Sequence, residues 1–294
     1  MQADRVFAIV GSWQALTAVT TEPYFRREGV PVVGPEGIAL EEYNSPVEYT
    51  FGVSGQGFGI ATANMAKRLG NSRLAVFYLD LPVTQVSFDL FKQQAAANGQ
   101  QIVYSNAENI ASATYGTDVV AAQSAKPDVV INILDANSVV REMNAMAGNA
   151  RYPYVVGTTG TADPVVAQQA ATWESNPSHR VYVLRLYLPA NANVPEVREW
   201  IETEGRYFPG FDPSSYAEGA WLGAKVFTEV ARSLGPNLTR QSLFAALSTL
   251  RNYHTGLTPD TTMTPDHGPN KQVLWMRWDA GIQDYQQIGS FQPW

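Results

Sequence analysis

Short runs of β-branched and other apolar residues alternate with longer amphipathic stretches along the chain. Such runs, bounded by turn residues, predict strands. They lie at residues 6–10, 30–33, 47–53, 74–79, 101–104, 129–134, 154–156 and 181–186. Residues 129–134 are almost continuously apolar, which is typical of a parallel strand covered by helices on both faces. The pattern therefore predicts a parallel sheet.

Helices are predicted between these strands from their periodicity and their ends. Residues 56–69, 84–98 and 137–147 are each followed by a glycine suited to a helix C-cap, namely Gly70, Gly99 and Gly148. Asp163 and Asp212 each precede a proline, which predicts two further helix starts. Further helices are predicted at 194–204, 213–234 and 239–250, and two closing strands at 272–278 and 282–288. The alternation predicts an α/β fold with right-handed crossovers.

Composition narrows the functional classes. The 294 residues are 45% hydrophobic and 16% charged with a net charge of −7, so the chain can bury a full core and shows no basic footprint for nucleic acid. The absence of cysteine excludes disulfides and thiolate chemistry. No apolar run reaches the roughly 20 residues that span a bilayer, and the first residues lack the features of a signal peptide.

Catalytic and metal signatures are weak. His179, His254 and His267 are far apart in polar contexts, which predicts surface histidines without metal-ligand spacing. Ser12 lacks the second glycine of a G-x-S-x-G elbow. The glycines of residues 55–59 do not match G-x-G-x-x-G and favour a hinge or close packing. The sequence therefore predicts no enzyme, no cofactor and no metal site.

The order of several segments resembles the type 1 periplasmic solute-binding proteins, specifically the branched-chain amino acid branch of ABC transporters. The matching segments are VFAIVGS at 6–12, EGVPVV at 28–33, LGNSRLAVFY at 69–78, KPDVV at 126–130 and TRQSL at 239–243. The resemblance implies two α/β lobes joined by three crossings, near residues 53–55, 188 and 271. Lobe 1 would comprise residues 1–53 and 188–271, and lobe 2 residues 54–187 and 272–294.

The resemblance also implies what precedes residue 1 in relatives. The family normally has two further βα units before the strand at residues 6–10, and usually a signal peptide before those. Because the given sequence does not contain them, either its start codon is misassigned, or the chain is a truncated or natural fragment with an amino-terminally incomplete first lobe. In the latter two cases lobe 1 would expose an unpaired sheet edge. A location outside the cytoplasm, periplasmic or at the cell surface, is nevertheless implied.

Ligands of open parallel sheets bind beyond the carboxyl ends of the strands. In lobe 1 this rule selects two loops, whose candidate residues are Ser12, Trp13, Gln14, Ala15, Glu36, Gly37 and Ile38. Ser12, if followed by a helix, would offer backbone amides to a carboxylate, or it would cap that helix. Trp13 would stack on a flat ligand or fill space under the same helix. Glu36 would contact ligand or be solvated.

Lobe 2 would contribute Tyr78, Pro82, Asp135, Thr158 and Thr159. Asp135 would bind ligand or cap the helix that follows it.

In the amino-acid-binding relatives, a serine and a threonine hold the ligand carboxylate, and an acidic residue meets its ammonium. The matching positions here are Ala15, the pair Gly37 and Ile38, and Thr159. The ligand is therefore predicted not to be a simple branched-chain amino acid.

The main hypothesis is a small-molecule receptor that closes on its ligand and is recognised by a membrane permease. A ligand-sensing module of the same fold is the alternative, because fold alone does not fix function. An enzyme acting in the same cleft is a third hypothesis, without a coherent set of acid, base and nucleophile.

Overall fold

Strands and helices alternate along most of the chain in the structure, a computed structural model that describes residues 5–147, 153–263 and 268–294. The strands are β1 (Ile9–Val10), β2 (Val32–Val33), β3 (Glu48–Tyr49), β4 (Arg73–Leu79), β5 (Gln101–Glu108), β6 (Val129–Ile133), β7 (Tyr154–Gly157), β8 (Arg180–Arg185), β9 (Gln272–Asp279) and β10 (Asp284–Pro293). The α-helices are α1 (Ala18–Glu28), α2 (Leu40–Asn44), α3 (Ser54–Arg68), α4 (Pro82–Ala97), α5 (Gly116–Ser124), α6 (Ala136–Met146), α7 (Ala167–Trp173), α8 (Pro195–Tyr207), α9 (Ser215–Leu234) and α10 (Arg240–Leu247).

The chain forms two compact units, each built from two separate segments. Unit 1 comprises Met1–Ser54 and Tyr187–Asn270, and unit 2 comprises Gly55–Leu186 and Lys271–Trp294. The chain therefore crosses from one unit to the other three times, after Ser54, Leu186 and Asn270.

Unit 1 contains a small parallel sheet in the order β1-β2-β3. The register pairs Ile9 with Val32 and Val32 with Glu48, so the three strands end at the same edge. The loops that follow β1 and β2 therefore lie side by side at the carboxyl edge of this sheet.

Helix α9 fixes those loops by approaching the sheet at a glycine. A Cβ atom on Gly223 would lie 2.9 Å from the backbone nitrogen of Gly11 and 2.9 Å from the carbonyl oxygen of Val33. No side chain fits at this distance, so only glycine allows the helix to contact the ends of β1 and β2 directly. The flanking Leu222 and Val226 are fully buried and hold the helix in place.

Unit 2 contains a seven-stranded sheet in the order β10-β9-β8-β7-β6-β4-β5. The strands from β4 to β8 are parallel, and every residue of β6, an interior strand, is buried, as the continuous apolar run predicts. β9 and β10 are antiparallel to their neighbours. The prediction of a parallel sheet is therefore wrong for the pairings of these last two strands. The short turn between β9 and β10 makes this pair a hairpin, and β9 enters the sheet antiparallel to β8 after the chain returns from unit 1.

Most predicted helix ends are present. Gly70 and Gly99 follow α3 and α4 with positive φ of 81° and 72°, and Asp163 accepts a hydrogen bond from the backbone nitrogen of Val165 at 3.0 Å. Gly148 lies outside the described residues. Asp212 is not the N-cap of α9: the side chain of Ser214 accepts from the backbone of the first turn instead. Sequence patterns did not predict the short helices α2 and α5.

Candidate functional site

The loop after β1 in unit 1 is longer than the sequence suggested. α1 begins only at Ala18, so Ser12 neither caps it nor lies at its positive end, and both helix-based interpretations of Ser12 are wrong. The Oγ atom of Ser12 is buried and has no hydrogen-bond partner among the described residues. Ser12 therefore brings an unused hydroxyl to the carboxyl edge of the unit 1 sheet.

Trp13 exposes an aromatic surface at the same edge. The side chain is 37% exposed, and its ring contacts the Tyr216 ring of α9 edge-on, with 4.2 Å between centroids and 77° between planes. The interpretation of Trp13 as a residue buried under α1 is therefore wrong. Sequence reasoning missed Tyr216, which positions the Trp13 ring.

Glu36 joins the two loops of unit 1. Its carboxyl Oε1 accepts a hydrogen bond from the backbone nitrogen of Ala15 at 2.5 Å, and its own backbone nitrogen donates to the carbonyl of Ser12 at 3.2 Å. The residue is only 1% exposed, so the expectation of a solvated loop carboxylate is wrong. Gln14 is also buried and donates to Glu48 at 3.0 Å. Hydrogen bonds to the buried carboxyl groups of Glu36 and Glu48 therefore hold the loop after β1 in place.

Gly37 and Ile38 have structural hydrogen bonds. The carbonyl of Gly37 accepts from the hydroxyl of Tyr43 at 2.6 Å and from the backbone nitrogen of Ser54 at 2.8 Å. The backbone nitrogen of Ile38 donates to the carboxylate of Glu42 at 2.8 Å. Gly37 is fully enclosed, whereas Ile38 is half-buried and retains a side chain that could face a ligand.

The buried carboxyls of unit 1 have strongly perturbed acidity. Burial raises the pKa of Glu36 well above its ordinary value; Glu42 adds to the rise and the amide of Ala15 opposes it. Burial, with a contribution from Glu48, raises the pKa of Glu42 to about 8. Burial also raises the pKa of Glu48 to about 7, against the hydrogen bond from Gln14. This part of the site therefore holds protons near neutral pH.

In unit 2, Tyr78 and Pro82 flank the carboxyl end of β4. The Tyr78 ring is half-buried and stacks on Phe88 of α4, with 4.2 Å between centroids and 15° between planes. Pro82 is the exposed first residue of α4, a position that suits its fixed φ. Tyr78 pairs with Ile133 of β6, so Asp135 follows on the neighbouring strand.

Asp135 caps α6, which confirms the structural alternative predicted for it. Its Oδ1 accepts from the backbone nitrogens of Asn137 and Ser138 at 3.0 and 3.2 Å, and its Oδ2 accepts from the Ser138 hydroxyl at 2.5 Å. Thr158 and Thr159, in the turn after β7, are 3% and 5% exposed. The contact of each of these residues with a ligand stays a prediction.

Behind these loops, unit 2 contains its own buried acid. Glu142 of α6 is completely buried and accepts from the side-chain nitrogen of Asn132 on β6 at 2.8 Å. Burial raises the pKa of Glu142 to about 8, and Glu108 adds to the rise. Sequence reasoning missed Glu142 and Asn132, although an asparagine inside the apolar run of β6 was a visible signal.

The three histidines differ in their surroundings. His179 packs half-buried against Trp173 rather than lying free on the surface, His254 is exposed beside Asp260, and His267 lies outside the described residues. Within the described residues no group of three or more acidic or histidine side chains is placed to hold a metal ion. In the same residues no helix is long and apolar enough to cross a membrane.

The two α/β units, with three crossings and candidate residues at the carboxyl edges of their sheets, define a two-lobed binding-protein fold. Solved structures share it. A branched chain amino acid ABC transporter from Thermus thermophilus with bound valine matches with a TM-score of 0.83 at 13% identity, over 96% of this chain and 77% of the other. The solute-binding protein of an ABC transporter from R. palustris in complex with 4-hydroxybenzoate matches with a TM-score of 0.83 at 15% identity, over 99% and 79%. A second one from R. palustris, in complex with benzoate, gives 0.82 at 15%, over 98% and 78%.

The chain belongs to the periplasmic binding protein family, whose model matches residues 1–283. Both the fold class predicted from the sequence and the resemblance to type 1 periplasmic binding proteins are thereby confirmed. No curated protein sequence matches the chain.

Proposed function

We propose that this chain is an extracytoplasmic solute-binding protein that captures a small molecule between its lobes and delivers it to the permease of an ABC transporter. Family membership supports a binding role rather than catalysis. The observation that carries the proposal is the half-exposed Trp13 ring, held by Tyr216 beside the unused Ser12 hydroxyl at the carboxyl edge of the unit 1 sheet. An aromatic surface with a few polar groups is typical of a small-molecule site.

The lobes of this proposal are residues 1–53 with 188–271, and 54–187 with 272–294. Lobe 1 would contact the ligand through the loops after β1 and β2. Lobe 2 would contact it through the residues that follow β4, β6 and β7, namely Tyr78, Pro82, Asp135, Thr158 and Thr159. Closure of the lobes around the ligand would give the permease a shape to recognise.

The ligand of this proposal is small and not a simple branched-chain amino acid. Ala15 and Ile38 lack the hydroxyls that would clamp an α-carboxylate, and Thr159 lacks the charge that would meet an ammonium group. The similar structures contain ligands as different as valine and 4-hydroxybenzoate, so the fold itself does not restrict the ligand. The Trp13 and Tyr216 rings favour a molecule with a flat or apolar part.

A thermal-shift screen tests the proposal. Amino acids, aromatic acids, purines and amides are added singly to the purified chain, and a ligand that binds only the folded state raises the melting temperature. We expect one compound class to do so, with an effect that increases with concentration and is reduced in Trp13→Ala. If no compound in the panel raised the melting temperature, the proposal would be contradicted.

A ligand-sensing receptor is the second candidate function, favoured by the similarity to an extracellular ligand-binding receptor from Rhodopseudomonas palustris HaA2, with a TM-score of 0.81 at 11% identity. Co-purification of the ligand-bound chain with a permease supports transport. Co-purification with a membrane kinase or another signalling protein supports sensing.

A further inference from the structure

One backbone donor at the edge of the unit 1 sheet is already occupied by the protein itself. The amide of Ala15 points to the carboxyl of Glu36, with 2.5 Å between nitrogen and Oε1. Ala15 has no hydroxyl to offer, and the side chain of the preceding Gln14 is bound to Glu48. The carboxyl of Glu36 therefore occupies a backbone amide that would otherwise be available to the carboxylate of a ligand.

We propose that Glu36 determines specificity by occupying the Ala15 amide, so that the site selects neutral or cationic ligands over carboxylates. This inference rests on the proposed binding function and names the ligand class of the same site. The favoured ligands are amides, amines and other hydrogen-bond donors with a flat or apolar part that contacts Trp13.

Displacing the Glu36 carboxyl from the Ala15 amide would cost free energy. It is 1% exposed, and the Ala15 amide is the hydrogen-bond donor that its carboxyl contacts among the described residues. A ligand carboxylate that took this amide would leave a buried carboxyl without a donor, and an unsatisfied buried polar group is costly. Competition for this hydrogen-bond donor therefore disfavours a carboxylate ligand.

The burial of this part of the unit adds to the selection. Glu42 and Glu48 lie 1% and 2% exposed, and burial raises the pKa of both, as it does for Glu36, so the surroundings disfavour an ionised carboxyl group. A ligand carboxylate at the Ala15 amide would meet the same desolvation cost. A donor group of the ligand would instead find an acceptor in Ser12 Oγ, which has no partner among the described residues.

Affinity for matched amide and carboxylate ligands tests the inference. Benzamide and benzoate, and further pairs of the same skeleton, are titrated by calorimetry into the wild type, Glu36→Ala, Glu36→Gln and the control Glu41→Ala. Glu41→Ala removes a half-exposed carboxylate close in sequence without touching the Ala15 amide. Glu36→Gln keeps an acceptor oxygen for that amide and removes the acid.

We expect the wild type and Glu41→Ala to bind the amides at least about tenfold more tightly, equivalent to about 1.4 kcal/mol. Glu36→Ala should lower this preference by about tenfold, and Glu36→Gln should retain most of it. The inference would be overturned if the wild type bound carboxylates as tightly as the matched amides, or if the preference were unchanged in Glu36→Ala. Either result would leave the proposed binding function intact.

The amide resonance of Ala15 gives a second measurement that needs no identified ligand. In protein labelled with ¹⁵N-alanine, Glu36→Ala should move the Ala15 amide proton upfield, and acetate should shift it back only in that variant. An acetate response of equal size in the wild type would overturn the inference, even if Glu36→Ala failed to fold. Failure of all panel compounds to bind would contradict the proposed function, whereas this resonance would still show whether the amide is occupied.

Discussion

Replacing Glu142 by glutamine removes the buried acid of unit 2 and keeps a hydrogen-bonding group of the same shape. The ionised carboxylate leaves the Oδ1 atom of Asn132 and the Oε1 atom of Glu142 without partners. A protonated carboxyl can donate to Oδ1 while its other oxygen accepts from the Asn132 nitrogen at 2.8 Å. Glutamine can make the same pair of bonds at every pH.

The magnitude follows from the shifted acidity. Burial raises the pKa of Glu142 from 4.5 to about 8, so the folded protein binds the proton more tightly than the unfolded chain. The stability that this proton provides is complete at acidic pH and is lost as the pH rises through the folded pKa. At about 1.4 kcal/mol per pKa unit, the loss for Glu142 between pH 4.5 and pH 9 is at most about 5 kcal/mol.

Urea denaturation at pH 5, 7 and 9 measures the effect. We expect the free energy of unfolding of the wild type to fall from pH 5 to pH 9, and to fall by several kcal/mol less in Glu142→Gln. Asp80→Asn, which changes an exposed carboxylate of the same unit, should follow the wild type. Parallel pH dependences of the wild type and Glu142→Gln would refute the reasoning.

Three further substitutions test the site and its support. Gly223→Ala places a Cβ atom 2.9 Å from backbone atoms of Gly11 and Val33. The urea midpoint should therefore fall, corresponding to a loss of about 1–3 kcal/mol in the free energy of unfolding. An unchanged midpoint would contradict the close approach of α9 to the sheet. Asp135→Ala removes the cap of α6 and should cost about 1 kcal/mol in the same assay, whereas Asp135→Asn should cost less. Trp13→Ala removes an aromatic contact worth about 1 kcal/mol and should cancel most of the ligand-induced rise in melting temperature; full ligand stabilisation in this variant would exclude Trp13 from the site.

The parts of the fold that the sequence predicts well are those with strong local signals. The continuous apolar run of β6 predicts a strand buried on both faces, and the glycines after α3 and α4 end those helices as expected. The hairpin of β9 and β10 was predicted as two strands but not as an antiparallel pair, although the short turn between them was a local signal. The antiparallel pairing of β9 with β8 was not predictable in this way, because the two strands are far apart in the sequence.

The site was harder to predict, because its residues are held by contacts between distant segments. Nothing local to Glu36 indicates that its carboxyl reaches the amide of Ala15, 21 residues earlier in the chain. Likewise, α1 begins only six positions after Ser12, and the residue composition of the intervening turn does not reveal this separation. Glu48 was a local signal for the buried acids of unit 1, because a carboxylate inside a predicted strand indicates a buried polar group.

The central claim, a small-molecule site at the carboxyl edge of the unit 1 sheet, is tested most directly by the fluorine resonance of Trp13. The seven tryptophans are replaced by 5-fluorotryptophan, and Trp13→Phe assigns the signal of that position. We predict that the compound that raises the melting temperature also shifts or broadens the Trp13 resonance, saturating at one equivalent. Stabilisation by a compound that leaves the Trp13 resonance unchanged would contradict the account.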